Sequence, residues 1–157
     1  MVWDRALTPL LVAVMFGAGC GSSPDVNNKA VLGAVRAKAR YAEDQSTAIG
    51  LVDSATREVL DLNPAPTGSA VLGQKLLSLS AAAVTAARSI SELHPPQGAA
   101  ILQQREVTQL RQLAQTLNDW VKAHPKRTVA DANGLVHRAR DPLDRTLEAL
   151  IRIGYIN

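Results

Sequence analysis

The chain has 157 residues, 17 Lys and Arg against 14 Asp and Glu, and a formal net charge of +3 at pH 7. A single cysteine excludes an intramolecular disulfide scaffold. Aromatic residues at 3% leave no aromatic interleaving for base stacking, so no nucleic-acid partner is expected.

The first residues, MVWDR, carry charge, and an apolar run, ALTPLLVAVMF, follows from Ala6 to Phe16. Gly17-Ala18-Gly19 then precede the lone Cys20. A charged start, a short apolar stretch and a small-residue site form the layout of a secretory signal, assigned here to residues 1–19. The run falls short of the roughly 20 residues that a membrane-spanning helix needs.

The segment Gly17-Ala18-Gly19-Cys20 resembles the lipobox of bacterial lipoproteins. The resemblance covers only the first 20 or so residues. It implies that the Cys20 thiol receives a diacylglycerol, that the peptide bond before it is cut, and that the new amino terminus is often acylated. Two positions depart from the pattern: Gly17 stands where Leu is typical, and Asp4 beside Arg5 leaves the start barely basic. An ordinary secretory signal, or an apolar helix in a cytosolic protein, are the competing readings. Two or more acyl chains suffice for stable anchoring. The implied location is the cell envelope, lipid-anchored and extracytoplasmic. Gly21 in place of Asp points to the outer membrane where the host is Gram-negative.

Residues 20–28 read as the lipid-attachment site and a short tether, and residues 29–157 as one helical domain. At about 3.3 Å per residue, the tether reaches roughly 25 Å. Prolines break the domain at Asn63–Gly68, His94–Gly98 and His124–Lys126, and the stretches between are rich in helix formers. The first predicted helix spans about 28–62, with Val31, Val35, Ala42, Ile49, Val52, Val59 and Leu62 as its stripe and Gly50 a possible division. The second spans about 69–93, with Leu72, Leu76, Leu79, Ala83, Ala86 and Ile90 on one side. The third, about 99–123, has the cleanest amphipathic pattern, from Leu102 to Val121.

The last segment is expected to be split or kinked near Pro142. Asp141-Pro142 has the form of an N-cap followed by proline at the first helical position. Leu143, Leu147, Leu150 and Ile151 are expected inward. Short loops between long helices give antiparallel neighbours, so the fold class is all-α, an up-down-up-down four-helix bundle. The apolar tail Ile153–Asn157 is expected to pack back on it.

Little in this chain points to chemistry. His94 and His124 lie at opposite ends of the third helix, roughly 37 Å apart, and cannot share a metal. No C-x-x-C-H, E-x-x-H, nucleophile-elbow or phosphate-loop pattern occurs, so no cofactor, metal or catalytic residue is assigned. Glu43, Asp44 and Glu106 read as exposed helix charges.

Two groups of cations stand out. Lys29, Arg36, Lys38 and Arg40 lie nearest the tether and are candidates to face anionic headgroups, with an ordinary solvated face as the alternative. Lys126 and Arg127, with Lys122 before them and Arg138 and Arg140 nearby, lie at the opposite end beside Trp120. Trp120, Lys126 and Arg127 are candidate contacts for an envelope protein partner, although Trp120 also reads as a core residue.

The function these residues favour is a non-enzymatic, lipid-anchored interaction or assembly-accessory module, pilotin-like or blocking by analogy. The alternative is a small-ligand or lipid carrier with a cavity between its helices.

Overall fold

A computed structural model describes residues 24–62 and 68–156. The signal segment and Cys20 lie outside the described residues. Every regular element among the described residues is a helix: α1 Pro24–Leu60, α2 Ser69–Glu92, α3 Ala100–Ala123 and α4 Val129–Arg152. Consecutive helices are neighbours, and α4 closes the bundle against α1. The order is up-down-up-down. Lys75 near the start of α2 pairs with Glu58 near the end of α1, and Gln103 at the start of α3 donates to the Ile90 carbonyl at the end of α2.

Helical apolar stripes form the core. Leu72, Leu76, Leu79, Ala83, Ala86 and Ile90 of α2 are all buried, as are Leu110, Leu113 and Leu117 of α3. Ala83, Ala86 and Ala87 keep the middle of α2 thin. Ser80 there donates to the Ala114 carbonyl at 3.0 Å, so α2 and α3 approach closely. By length and composition α2 is the one described helix apolar enough to cross a membrane, yet its stripe forms the bundle core.

Several expectations need correction. The helix begins at Pro24, so the last five residues of the expected tether are already helical. Proline suits this place, because its fixed φ matches a helix start and its missing N–H has no intrahelical partner to lose. Gly50 does not divide α1: the helix runs through it, and a Cβ there would meet nothing within 4 Å.

Likewise α4 is not split at Pro142. Proline removes one i→i−4 hydrogen bond, but the flanking turns are held on both sides. Leu135 and Val136 before it and Leu143 and Leu150 after it are buried in one continuous phase. Asp141, expected as an N-cap, instead pairs with Arg145 one turn on. Ile151, expected inward, is 51% exposed.

The tail does pack back, through a left-handed cap. Gly154 has φ +71°, its N–H bonds the Ile151 carbonyl at 2.8 Å, and the Tyr155 N–H bonds that of Leu150 at 2.9 Å. This is a Schellman ending, with Tyr155 against Leu150 as its apolar contact. Ile156 is buried, and the Tyr155 hydroxyl donates to the Gln97 carbonyl at 2.9 Å.

The helix lengths differ. α2, α3 and α4 have 24 residues each, about 36 Å, whereas α1 has 37, about 55 Å. The excess lies at its N-terminal end. From Asn28 to Arg40 every residue is exposed except Lys38, and the core side of α1 begins at Tyr41. Val31 and Val35, expected in the stripe, are therefore 59% and 60% exposed.

Candidate functional site

The two ends of the bundle carry the candidate residues. At the end where α1 projects, the core contains polar groups. The Tyr41 hydroxyl donates to Gln103 Oε1 at 2.9 Å, and Gln45 Nε2 donates to the Tyr41 hydroxyl at 3.0 Å and to Glu106 Oε2 at 2.7 Å. Gln103 Nε2 closes the network on the carbonyls of Ile90 and Leu93 at the end of α2. The network thus spans from α1 to α3, which sit diagonally and make no backbone contact.

Glu106, read from sequence as an exposed charge, is 0% exposed. Its Oε1 and the Oε1 of Gln45 have no partner. Burial pushes the Glu106 carboxyl up from its ordinary value to about 7, against the opposing pull of the Gln45 amide. Burial raises the Tyr41 phenol well above its usual range, with Glu106 and Tyr155 adding to the shift. None of the surface concavities described is lined by Glu106 or Gln45.

The signal for it was present in the sequence. Glu106 stands four residues after Leu102 and four before Leu110, inside the apolar stripe of α3. Gln45 stands likewise between Tyr41 and Ile49 in α1.

The four candidate membrane-facing cations do not act alike. Lys38 is half-buried, with its Nζ 4.7 Å from the centre of the Tyr155 ring, which itself meets Tyr41 edge-on at 6.1 Å. Lys38 therefore binds the projecting helix to the tail. Lys29, Arg36 and Arg40 are exposed and join no ion pair among the described residues. At about 100° per residue these three fall on one face of the helix.

At the opposite end, Trp120 is partly buried against the core and stacks on His124, ring centroids 4.7 Å apart and planes 19° from parallel. His124 caps α3, and its Nδ1 meets the Trp120 carbonyl at 2.9 Å, which places the proton on that nitrogen. Arg127 is half-buried and engaged by its own chain. Its Nε donates to the His124 carbonyl at 2.6 Å and its Nη2 to that of Val121 at 2.7 Å, so it satisfies the end of α3. Its guanidinium lies over Gly73 of α2, where a Cβ would collide with it. Arg140 likewise faces inward: only 16% exposed, it bonds Thr56 and Asp53 of α1 and Asp144 of its own helix. Lys122 lies 3.8 Å from Asp119.

What remains at this end is a cleft of about 350 Å³ lined by Trp120, His124, Lys126, Ala130, Asp131, Gly134 and Arg138. Thr128 caps α4, which supplies one wall, by accepting from the Asp131 N–H at 3.2 Å. The cleft offers an aromatic platform with Lys126 and Arg138 beside it. Such a surface can hold a flat or apolar group next to an anion.

His94, His124 and His137 are all exposed and lie apart, and among the described residues no three His, Cys, Asp or Glu gather as metal ligands. No family model, no curated protein and no solved structure matches the chain.

Proposed function

We propose that this protein is a lipid-anchored envelope protein that acts without catalysis, as an interaction or assembly-accessory module. The supporting observation is the polarity of the bundle. The lipobox-like Cys20 lies four residues before the first residue of α1. That helix projects from one end, and the Trp120 cleft with Lys126 and Arg138 occupies the other. A chain tethered through Cys20 has its anchor at one end of the bundle and the cleft at the other, about 36 Å away along the helices. The cleft then faces a partner in the aqueous compartment, and its cations favour an acidic surface. The carrier reading, with a cavity between helices, draws no support from a core closed by Leu and Ala side chains or from concavities that open to solvent.

The test is to express the full chain in a bacterium with wild-type Cys20 and with Cys20→Ala. Intact mass and membrane fractionation read the anchor, and crosslinking in the intact cell captures the partner. A diacylglycerol mass on the wild type, with membrane residence lost in Cys20→Ala, is the expected result. An unmodified wild type in the soluble fraction overturns the anchor. A crosslinked partner unaffected by Trp120→Ala and Lys126→Glu overturns the assignment of the cleft.

A further inference from the structure

The projecting part of α1 has a composition that the bundle does not explain. From Pro24, where the helix starts, to Ala42 the sequence carries Lys29, Arg36, Lys38 and Arg40 against a single acid, Asp25. Val31, Leu32 and Val35 are 59%, 54% and 60% exposed. At about 100° per residue, these three fall within an arc of roughly 100°, and Lys29, Arg36 and Arg40 fall within an adjacent arc of about 40°. Lys38 points elsewhere, onto Tyr155. The helix therefore has a narrow apolar face bordered by a row of exposed cations.

We infer that this arm lies along an anionic bilayer surface, with Val31, Leu32 and Val35 entering the headgroup boundary and Lys29, Arg36 and Arg40 on the lipid phosphates. Apolar residues beside a face where cations outnumber acids are what an interfacial helix requires. A second copy fits poorly, because each arm carries four cations and one acid, Asp25, so pairing two arms brings a net excess of like charge together. A folded protein partner fits poorly too. Three aliphatic side chains make a small patch beside the roughly 800 Å² per side of a stable interface, whereas a fluid lipid surface demands no matching shape. The chain order agrees: only Gly21, Ser22 and Ser23 separate Cys20 from the helix, about 10 Å when extended. This last argument rests on the anchored reading above, and the others do not. The arm would then set the tilt of the bundle, which a lipid anchor alone leaves free.

The test uses the full chain with Cys20→Ala, so that no acyl chain contributes, and vesicles of phosphatidylcholine with or without phosphatidylglycerol. Adding the anionic lipid is expected to raise the partition coefficient about 100-fold, from about fivefold for each of three cations. The triple variant Lys29→Glu, Arg36→Glu, Arg40→Glu is expected to lose that gain, and Lys38→Gln to keep it. Residues 1–19 are the same in all these chains and cancel in the ratio. In Val35→Trp, emission is expected to move to the blue when anionic vesicles are added. Equal partition of the parent and the triple variant overturns the inference. So does a concentration-dependent dimer without lipid that Val31→Asp with Val35→Asp abolishes, which would give the arm to a second copy. Apart from the half-buried Lys38, the altered arm residues are exposed, and circular dichroism should show all the variants folded. Since Cys20 is absent throughout, the outcome is independent of whether the wild type is lipidated.

Discussion

At the end of the bundle where α3 finishes, the chain satisfies its own termini. His124 and Arg127 bond the last carbonyls of α3, Thr128 caps α4, and Leu72, Leu76 and Leu117 fill the core. At the opposite end the core holds Tyr41, Gln45, Gln103 and Glu106, two of whose oxygens lack a partner, and α1 runs on past the other helices, with Lys38 against the Tyr155 ring. The aliphatic end is closed by these contacts and carries one buried oxygen without a partner, Asn133 Oδ1, but no buried carboxyl. The polar end is only partly satisfied, and its stability depends on solution conditions because a buried carboxyl is part of its packing.

The largest effect should come from the closed end. Leu117→Ala, at a position 0% exposed, removes packed methyl groups and is expected to lower unfolding free energy by about 3 kcal/mol in urea denaturation. Loss near 1 kcal/mol instead would mean that the core there can collapse and is not the rigid half.

Comparable in size, but dependent on pH, is the contribution of Glu106. Its folded pKa is raised from 4.5 to about 7, so the folded chain holds the proton more tightly than the unfolded one. Stability is therefore greatest below about pH 4.5, falls as pH rises through 7 and is level above that, by about 3 kcal/mol from this group alone. Glu106→Gln is expected to remove that slope and to be more stable than wild type at pH 8. Parallel pH profiles for the two proteins would remove the distinction between the ends.

A medium effect should follow Arg140→Ala, which strands Asp53 and Asp144 and removes a link between α1 and α4. A loss of about 2 kcal/mol is expected, discounted from the value for a fully buried pair because both carboxylates reach solvent. Arg127→Ala should cost about 1 kcal/mol by releasing the α3 carbonyls, with faster hydrogen exchange confined to that end. The smallest effect should be in the arm. Val35→Ser is expected to change stability in solution by less than about 0.5 kcal/mol, since nothing in the bundle covers it.

How far each region was legible in the sequence follows from what its residues touch. The stripes of α2 and α3 were read correctly because each helix buries one face and the spacing of apolar residues reports that face directly. The same rule misplaced Val31 and Val35. Periodicity marks a face able to be buried, and only the lengths of the neighbouring helices decide whether anything lies against it. Pro142 carried the residues of a helix start, but local preference was outweighed by packing continuous on both sides of it. Arg127 and Arg140 looked like members of one basic cluster. Long side chains reach several ångströms from their backbone, so their partners, Val121 and His124 for one and Asp53 and Asp144 for the other, follow from the assembled bundle.

The amino-acid sequence by itself determined that this chain forms four long helices joined at Pro-rich breaks, because helix propensity and apolar spacing act within a few residues of each other. Tertiary structure alone decided which charges are free and which are buried, where Trp120 meets Lys126, and that α1 outruns its bundle. Those outcomes depend on the register of one helix against the next, which contacts between residues far apart in the chain establish.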